Sequence, residues 1–283
     1  MTRRSRSGAR RKPRRSRKRR TRLLPSARAR RRLRRTFLAA PPIVQIVVSL
    51  AVLVALALAV NWIYQVVRKP TELLFPVSGT LNKTPTETWR QYGPLFRRHS
   101  TALMSPELLA ALAQVEGSGN PIARTYWRWA WSSHWADLYK PASSAVGMYQ
   151  ITDGTFQLAR HYCIHDHRVA EEGAWSDWHS CWFNSLYFRV LPGDAVELTS
   201  AYLDVSVSAA IARSGARRPG LKQQQELAAL IHLCGPGAGE IYVHRGFRLA
   251  PGQRCGDHDA ASYIARVSAM REVFAELARR DQD

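Results

Sequence analysis

The chain has 283 residues and a formal charge of +21, from 42 Lys and Arg against 21 Asp and Glu. Its length allows one or two domains. Residues 1–35 carry 19 Lys or Arg and no acid, so the rest of the chain is nearly neutral. This excludes a basic globular nucleic-acid binder, whose charge would lie on the folded body. A wholly disordered chain is also excluded, because 46% hydrophobic residues are enough to form a core.

The basic segment, residues 1–40, is predicted to be a disordered cytoplasmic tail. It has low complexity, no apolar period and strong self-repulsion. Such a tail sets membrane topology and is attracted to anionic lipid headgroups, by about 1 kcal/mol for each basic residue near the surface. A nucleic-acid partner, bound through counterion release, is the less favoured interpretation of the same charge.

Residues 41–65 are predicted to be a transmembrane anchor. Residues 43–63 hold no charge, and their only polar interruptions are Gln45, Ser49 and Asn61. At about 1.5 Å per residue this helix spans roughly 30 Å, the thickness of the bilayer's hydrocarbon core. Because the basic residues precede the span, the positive-inside rule places the N-terminus in the cytoplasm and the remainder across the membrane.

Two export signals are alternatives to an uncleaved anchor. Arg34-Arg35, followed by Thr36-Phe37-Leu38, resembles a twin-arginine signal, and Ala55-Leu56-Ala57 imitates a signal-peptidase site. The apolar run is longer than the apolar core of an ordinary signal peptide, and no clear cleavage site of small residues follows it. The sequence therefore favours the uncleaved anchor.

Residues 66–100 are predicted to be a linker with a short helix around Thr86–Arg97, because they contain several prolines and no sustained period. From residue 101 to 283 the pattern is helical and predicts one mainly α domain. That domain ends in an amphipathic helix over 260–280, with Asp257 or Asp259 as its N-cap.

Glu116 is the candidate catalytic acid. Ser105-Pro106-Glu107 predicts a helix start, with serine as N-cap and proline in the first turn, and Gly117 marks the helix end. Glu116 lies on or beside the apolar stripe, at the negative end of the helix dipole. Burial and the dipole both disfavour its ionised form, as a general acid requires. The alternative is a boundary glutamate that reaches solvent.

Five short segments of the chain follow one another in a recognisable order. Glu116 is followed by Asn120-Pro121-Ile122-Ala123, and then come Gly147-Met148-Tyr149-Gln150-Ile151, Ala201-Tyr202-Leu203, Gly235-Pro236-Gly237 and Tyr263-Ile264. Together they resemble the signature of the lytic transglycosylase family, whose catalytic domain is related to goose-type lysozyme. The resemblance covers about residues 105–270 and implies an all-α, lysozyme-like fold, preceded here by one transmembrane helix and the basic tail.

The resemblance also implies an activity, the cleavage of the MurNAc–GlcNAc β-1,4 bond of peptidoglycan without water. Glu116 would protonate the glycosidic oxygen and then, as a carboxylate, remove the proton of the sugar's 6-hydroxyl, leaving a 1,6-anhydro end. No cofactor and no metal are implied. The substrate-binding residues implied are Gly147, Met148, Tyr149, Gln150, Tyr202, His232 and Tyr263.

The implied setting is the bacterial inner membrane, with the anchor in the bilayer and the catalytic domain in the periplasm. The implied partners are peptidoglycan glycan strands, with an envelope complex as a further possibility.

The chain departs from the family pattern at three places. Gly117 replaces the family's serine, an insertion separates Glu116 from Gly147, and His232-Leu233 replace a Tyr-Asn pair. His232 can replace the tyrosine as a hydrogen-bond donor. The departures leave two alternatives open, a hydrolytic lysozyme of the same fold and a catalytically silent peptidoglycan-binding or scaffolding subunit.

The insertion is rich in tryptophan. Seven of the nine Trp lie between residues 127 and 182, and Trp127, Trp129 and Trp131 stand two apart, with Trp135 and Tyr139 each four further on. Such rings stack on sugar faces in glycan grooves. The alternatives are a local core over the insertion and contact with the membrane interface.

All four cysteines, Cys163, Cys181, Cys234 and Cys255, lie beyond the span, where an even count indicates disulfides. Three pairings are possible. The shortest loops, Cys163–Cys181 and Cys234–Cys255, are favoured and would each contribute about 3 kcal/mol. A metal site is the less favoured alternative, because the alternating set has no zinc-site spacing; that set is His161, Cys163, His165 and His167, with His179 nearby.

Overall fold

The structure, a computed structural model, describes residues 27–281 except 131–136, 138, 175, 178–179 and 216–218. It divides into two compact units, Met1–Ala59 and Val60–Asp283. The disorder expected of residues 1–26 falls outside the described residues.

The first unit contains helix α1 (Ala27–Leu38) and the beginning of helix α2 (Pro42–Arg68). Helix α1 corrects the prediction of disorder for this part of the tail. Its residues are mostly Ala, Arg and Leu, which are strong helix formers despite the repulsion between the arginines. Pro42 then opens α2, because proline suits a first helical position where no N–H is needed.

Helix α2 confirms the predicted apolar helix. It has 27 residues, and its most apolar window has a mean hydropathy of 2.9 and is not buried at all. Its length and composition suffice to cross a bilayer and indicate membrane association. Helix α7 (Pro192–Ser214) also passes this test, but 61% of its window is buried, as in the core helix of a soluble domain.

Helix α5 (Pro106–Gly117) lies at the centre of the second unit. Its residues 108–113 are each at most 2% exposed, because the mixture of leucines and alanines fills space on every side while letting neighbouring helices approach. The predicted N-cap is confirmed, since the Ser105 hydroxyl accepts a hydrogen bond from the Leu108 amide. The helices that complete this unit around α5 are α4 (Pro85–Arg98), α7, α8 (Leu221–Cys234), α9 (Pro236–His244) and α10 (Ala260–Arg280).

Helix α4 lies in the segment predicted to be a linker, and it belongs to the core. Trp89, Tyr92 and Phe96 share one face and are at most 4% exposed. Thr84 and Glu87 form a capping box at its start, which satisfies two amide donors reciprocally. The short helix is therefore confirmed, but residues 66–100 are not a free linker. Their prolines mostly occupy first turns of helices rather than interrupting them.

The fold is mainly helical rather than purely so. The described residues include two further short helices and three antiparallel strand pairs: α3 (Phe75–Ser78), α6 (Asp153–Ala159), β1 (Trp127–Trp129) with β2 (Tyr139–Pro141), β3 (Tyr162–His165) with β4 (Arg168–Glu171), and β5 (Arg254–Cys255) with β6 (His258–Asp259). Each pair is a short ribbon on the surface of the helical core, so the strands add loops of defined shape to a helical domain.

Both favoured disulfides are confirmed, Cys163–Cys181 and Cys234–Cys255. The first removes Cys163 from the alternative metal set, and His161 is engaged with the Glu172 carboxylate. Among the described residues, no group of three or more His, Cys, Asp or Glu is placed to hold a metal; His179 lies outside them. The disulfides are compatible with an oxidising compartment.

Helix α10 has the predicted bounds, and Asp259 is its N-cap, accepting a hydrogen bond from the Ser262 amide at 2.8 Å. Its face carrying Tyr263, Val267 and Phe274 is buried. Because this face packs against α5, it brings Tyr263 to the end of the helix that carries Glu116.

Candidate active site

Glu116 lies in the last turn of α5 with its side chain 17% exposed. The Tyr263 hydroxyl, from α10, donates a hydrogen bond to Glu116 Oε1 at 2.5 Å. His232 Nε2, from α8, lies 3.7 Å from the same oxygen. Three predicted residues that are far apart in the sequence therefore meet at one carboxyl oxygen.

The two oxygens of Glu116 differ in their surroundings. Oε1 is held by Tyr263 and approached by His232, whereas Oε2 has no hydrogen-bond partner among the described residues. A carboxyl fixed at one oxygen and open at the other can exchange a proton with a ligand without losing its position.

Tyr263 is a hydroxyl donor held in its protonated form. Its side chain is 2% exposed, and burial, together with the nearby Glu116 carboxyl, raises the pKa of the Tyr263 hydroxyl well above its ordinary value. Both causes penalise a phenolate in this place, so Tyr263 remains a donor to Glu116 at neutral pH.

Tyr149 positions His232. The two rings meet edge to face with centroids 6.5 Å apart, and the Tyr149 hydroxyl donates to the Leu109 carbonyl of α5 at 3.1 Å. Burial raises the pKa of Tyr149 well above its ordinary value, so this hydroxyl too stays a donor. Tyr149 thus ties His232 to the helix that carries Glu116.

The predicted substrate contacts of Met148 and Tyr149 are not what the structure shows, because both side chains are 0% exposed. They lie inside the core and support the site from behind. Both side chains are buried because the turn that carries them packs closely against α5. A Cβ on Gly117 would come within 2.8 Å of the Met148 backbone, so glycine lets the turn lie this close to α5.

Gly147 and Gln150 shape the same turn. Gly147 has φ +82°, and a Cβ there would lie 2.4 Å from the Arg189 carbonyl oxygen, so only glycine fits. The Gln150 amide donates to the carbonyls of Ala123 and Gly147, at 3.1 and 2.9 Å. These two residues therefore hold the backbone near Glu116, with the Gln150 amide engaged by protein.

Tyr202 is 9% exposed and shares a small pocket with His232. Sequence reasoning missed Thr199 in this pocket, because nothing in the apolar pattern of α7 distinguishes it. Its hydroxyl is buried and has no hydrogen-bond partner within the described part of the chain. The pocket is lined by Ile151, Thr155, Ala159, Leu198, Thr199, Tyr202 and His232.

The aromatic insertion contributes no described contact to Glu116. Trp127 donates its indole N–H to Glu72 Oε2 at 2.9 Å, and Trp129 is 72% exposed. Trp131 and Trp135 lie outside the described residues. Sugar stacking on these rings stays a prediction.

Comparison with known proteins adds nothing to this geometry: no protein-family model, no curated protein and no solved structure matches the chain. The candidate site therefore stands on the arrangement around Glu116 itself, a half-buried carboxyl with one anchored and one open oxygen.

Proposed function

We propose that the chain is a membrane-anchored peptidoglycan lytic transglycosylase with a lysozyme-like, mainly α catalytic domain. The observation that carries this proposal is the meeting of Glu116, Tyr263 and His232 at one carboxyl oxygen. Each of these residues had been singled out from a different segment of the chain. Glu197 also has a tyrosine hydroxyl and a histidine at one oxygen, but its other oxygen accepts from the Ile164 amide, whereas the second oxygen of Glu116 is open.

The first chemical step is proton donation. The protonated Glu116 gives its proton, from the open Oε2, to the glycosidic oxygen between MurNAc and GlcNAc, and the bond to the leaving sugar breaks. The Tyr263 hydroxyl holds Oε1, so the carboxyl stays oriented while its charge changes. The hydrogen bond from Tyr263 strengthens as the carboxylate forms, which favours the charged product of this step.

The second step uses the same residue as a base. The Glu116 carboxylate removes the proton of the 6-hydroxyl, whose oxygen attacks C1 of the same sugar and closes the 1,6-anhydro ring. One carboxyl serves in both roles, whereas most glycosidases use a pair about 5–9.5 Å apart. His232, held by Tyr149, offers a second polar group beside the carboxylate.

The apolar helix and the disulfides support the proposed setting. Helix α2 supports an uncleaved inner-membrane anchor with the basic tail in the cytoplasm, and the two disulfides support a periplasmic catalytic domain. The partners proposed are peptidoglycan glycan strands and the membrane, within an envelope complex or without one.

The test is mass spectrometry of the products. The full chain in detergent micelles is incubated with purified peptidoglycan beside the Glu116→Gln variant, with Glu107→Gln of the same helix as a matched control. We expect 1,6-anhydro-muropeptides from the wild type and the control, and none from Glu116→Gln.

Other products would select the alternatives. Reducing ends in place of anhydro ends would make the chain a hydrolytic lysozyme. No products from the wild type, together with retained binding to peptidoglycan, would make it a silent binding or scaffolding subunit.

A further inference from the structure

The β1–β2 ribbon has one aromatic and one basic face. Trp129 pairs with Tyr139, and Arg128 pairs with Lys140. Since side chains alternate along a strand, Trp127, Trp129 and Tyr139 share a face, and the ring centroids of Trp127 and Trp129 lie 5.2 and 4.8 Å from that of Tyr139. The ribbon therefore combines an aromatic cluster with two cations.

Two hydrogen bonds connect the ribbon to the chain that leaves the apolar run. Trp127 donates to Glu72 at 2.9 Å, whereas the Tyr139 carbonyl accepts from the Asn61 side chain at 2.7 Å. Asn61 lies two residues before the end of that run, so Tyr139 and its strand partner Trp129 lie beside that end.

Within the described part of the chain, little covers the surface of the ribbon at this point. Trp129 is 72% exposed, and Arg128 is exposed and has no ion pair among the described residues. Like charges directly opposite each other on paired strands are unfavourable unless an anion lies between them. A nearby acid, Asp137, is 4.0 Å from Lys140 and 3.7 Å from Arg68, so it is already shared between two other cations.

We propose that the β1–β2 ribbon is a second membrane contact. In it Trp129 inserts at the boundary of headgroups and acyl chains, and Arg128 and Lys140 bind lipid phosphates of the leaflet from which α2 emerges. Tryptophan concentrates at that boundary because its ring is apolar and its N–H polar, and cations near the surface are attracted to anionic lipids.

This proposal rests on the proposed membrane anchor and deepens it. With no free linker and with the ribbon in the interface, the domain is held at the membrane surface rather than at the end of a tether. The substrate class it selects is therefore glycan strands that lie close to the membrane.

The test is a depth measurement by spin labelling of the full chain in vesicles of phosphatidylethanolamine and phosphatidylglycerol. All four native cysteines are in disulfides, so a nitroxide can be attached to a single introduced cysteine. The variant is Ala130→Cys, which keeps Trp129. The references are Leu53→Cys in the apolar run and Ile241→Cys on exposed α9. The measured quantity is the ratio of collision with lipid-soluble oxygen to collision with a water-soluble nickel chelate.

We expect the ratio at position 130 to lie between those at 53 and 241, and to shift towards the aqueous value when Trp129→Ser is added. A ratio at 130 equal to that at 241, with 53 still in lipid, would overturn the ribbon proposal and leave the anchor intact. Aqueous values at both 53 and 130 would overturn the anchor as well. Protection of 130 from the chelate by added glycan strands alone would make the ribbon a sugar-binding surface and overturn the lipid contact.

Discussion

Glu72 and Glu116 are both withdrawn from water, and their neighbours differ in charge. Glu72 is 0% exposed, with Arg124 Nη1 2.9 Å from one oxygen and Lys69 Nζ 3.3 Å from the other. The Trp127 indole donates to the oxygen that Arg124 binds. This carboxylate is matched by two cations, and its full burial keeps a ligand from either oxygen.

Glu116 is held instead by an uncharged hydroxyl. Tyr263 binds one of its oxygens, His232 lies 3.7 Å away, and the second oxygen is open. A buried carboxylate neutralised on both sides stabilises the fold only while it stays charged. A carboxyl with a neutral partner and an open oxygen can gain and lose a proton, so the contrast separates a structural glutamate from a candidate catalytic one.

The largest expected effect is on rate. Glu116→Gln should lower the release of muropeptides by on the order of 10³-fold, because it removes both the acid and the base, and should leave thermal unfolding nearly unchanged. Turnover of peptidoglycan and circular dichroism would measure the two quantities. Retained turnover would show that another residue is the acid, and it would contradict the distinction drawn between Glu116 and Glu72.

The reverse pattern is expected at Glu72. Glu72→Gln leaves Arg124 and Lys69 partly buried without their carboxylate and should lower the free energy of unfolding by about 3–5 kcal/mol. Denaturant unfolding in micelles measures this loss. Glu171→Gln, at an exposed position of β4, is the control and should change stability by less than about 0.5 kcal/mol. Equal losses in both variants would show that the cation cluster does not stabilise the fold.

A smaller effect sharpens the role of Tyr263. Tyr263→Phe removes one hydrogen bond to Glu116, of a kind worth about 1.5–3 kcal/mol. The rate should fall by roughly 10- to 100-fold, in kcat rather than in KM, because the buried hydroxyl is bonded to Glu116 Oε1 and orients the acid. Tyr242→Phe, in a buried tyrosine of α9, should leave kcat unchanged; a matching loss there would indicate a general packing defect.

The smallest expected effect is on the pH dependence of stability, and it comes from His99, which lies beside the buried Glu197. The oxygens of Glu197 accept hydrogen bonds from the Ile164 amide and the Tyr187 hydroxyl. His99 Nδ1 lies 3.6 Å from it. Burial lowers the pKa of His99 below its ordinary 6.5, and Glu197 opposes this only in part; Arg98 lowers the pKa and Asp194 raises it.

Below about pH 6.5 the unfolded chain protonates His99 before the folded chain does. Stability should therefore fall with decreasing pH, by at most about 1.4 kcal/mol per pH unit from this group. Thermal unfolding at a series of pH values would show the loss, and His99→Gln should flatten this part of the profile. An unchanged profile in His99→Gln would contradict the assignment.

Local signals in the sequence predicted several elements correctly. Ser105 and Asp259 start α5 and α10 as N-caps, the uncharged run gives α2, and short loops give both disulfide pairs. These features depend on residues near each other in the chain, which is why composition and spacing reveal them.

Other elements were misjudged because a neighbour distant in sequence decides them. The prolines of residues 66–100 suggested a linker, but Trp89 and Phe96 are buried in the core, where α4 packs against α5 and α10. Met148 and Tyr149 were expected to face substrate, and close packing of their turn on Gly117 buries them instead. The basic tail was expected to be disordered as far as residue 40, yet its alanines and leucines allow α1.

The sequence by itself determined where Glu116 stands on its helix, and the family resemblance pointed to His232 and Tyr263. Only the tertiary structure decided that Tyr263, 147 residues away, anchors one oxygen of Glu116, and that Glu72 is closed by two cations. A side chain's partners depend on which helices pack together, and that packing is set by many weak contacts between distant segments, which leave no periodic signal in the chain.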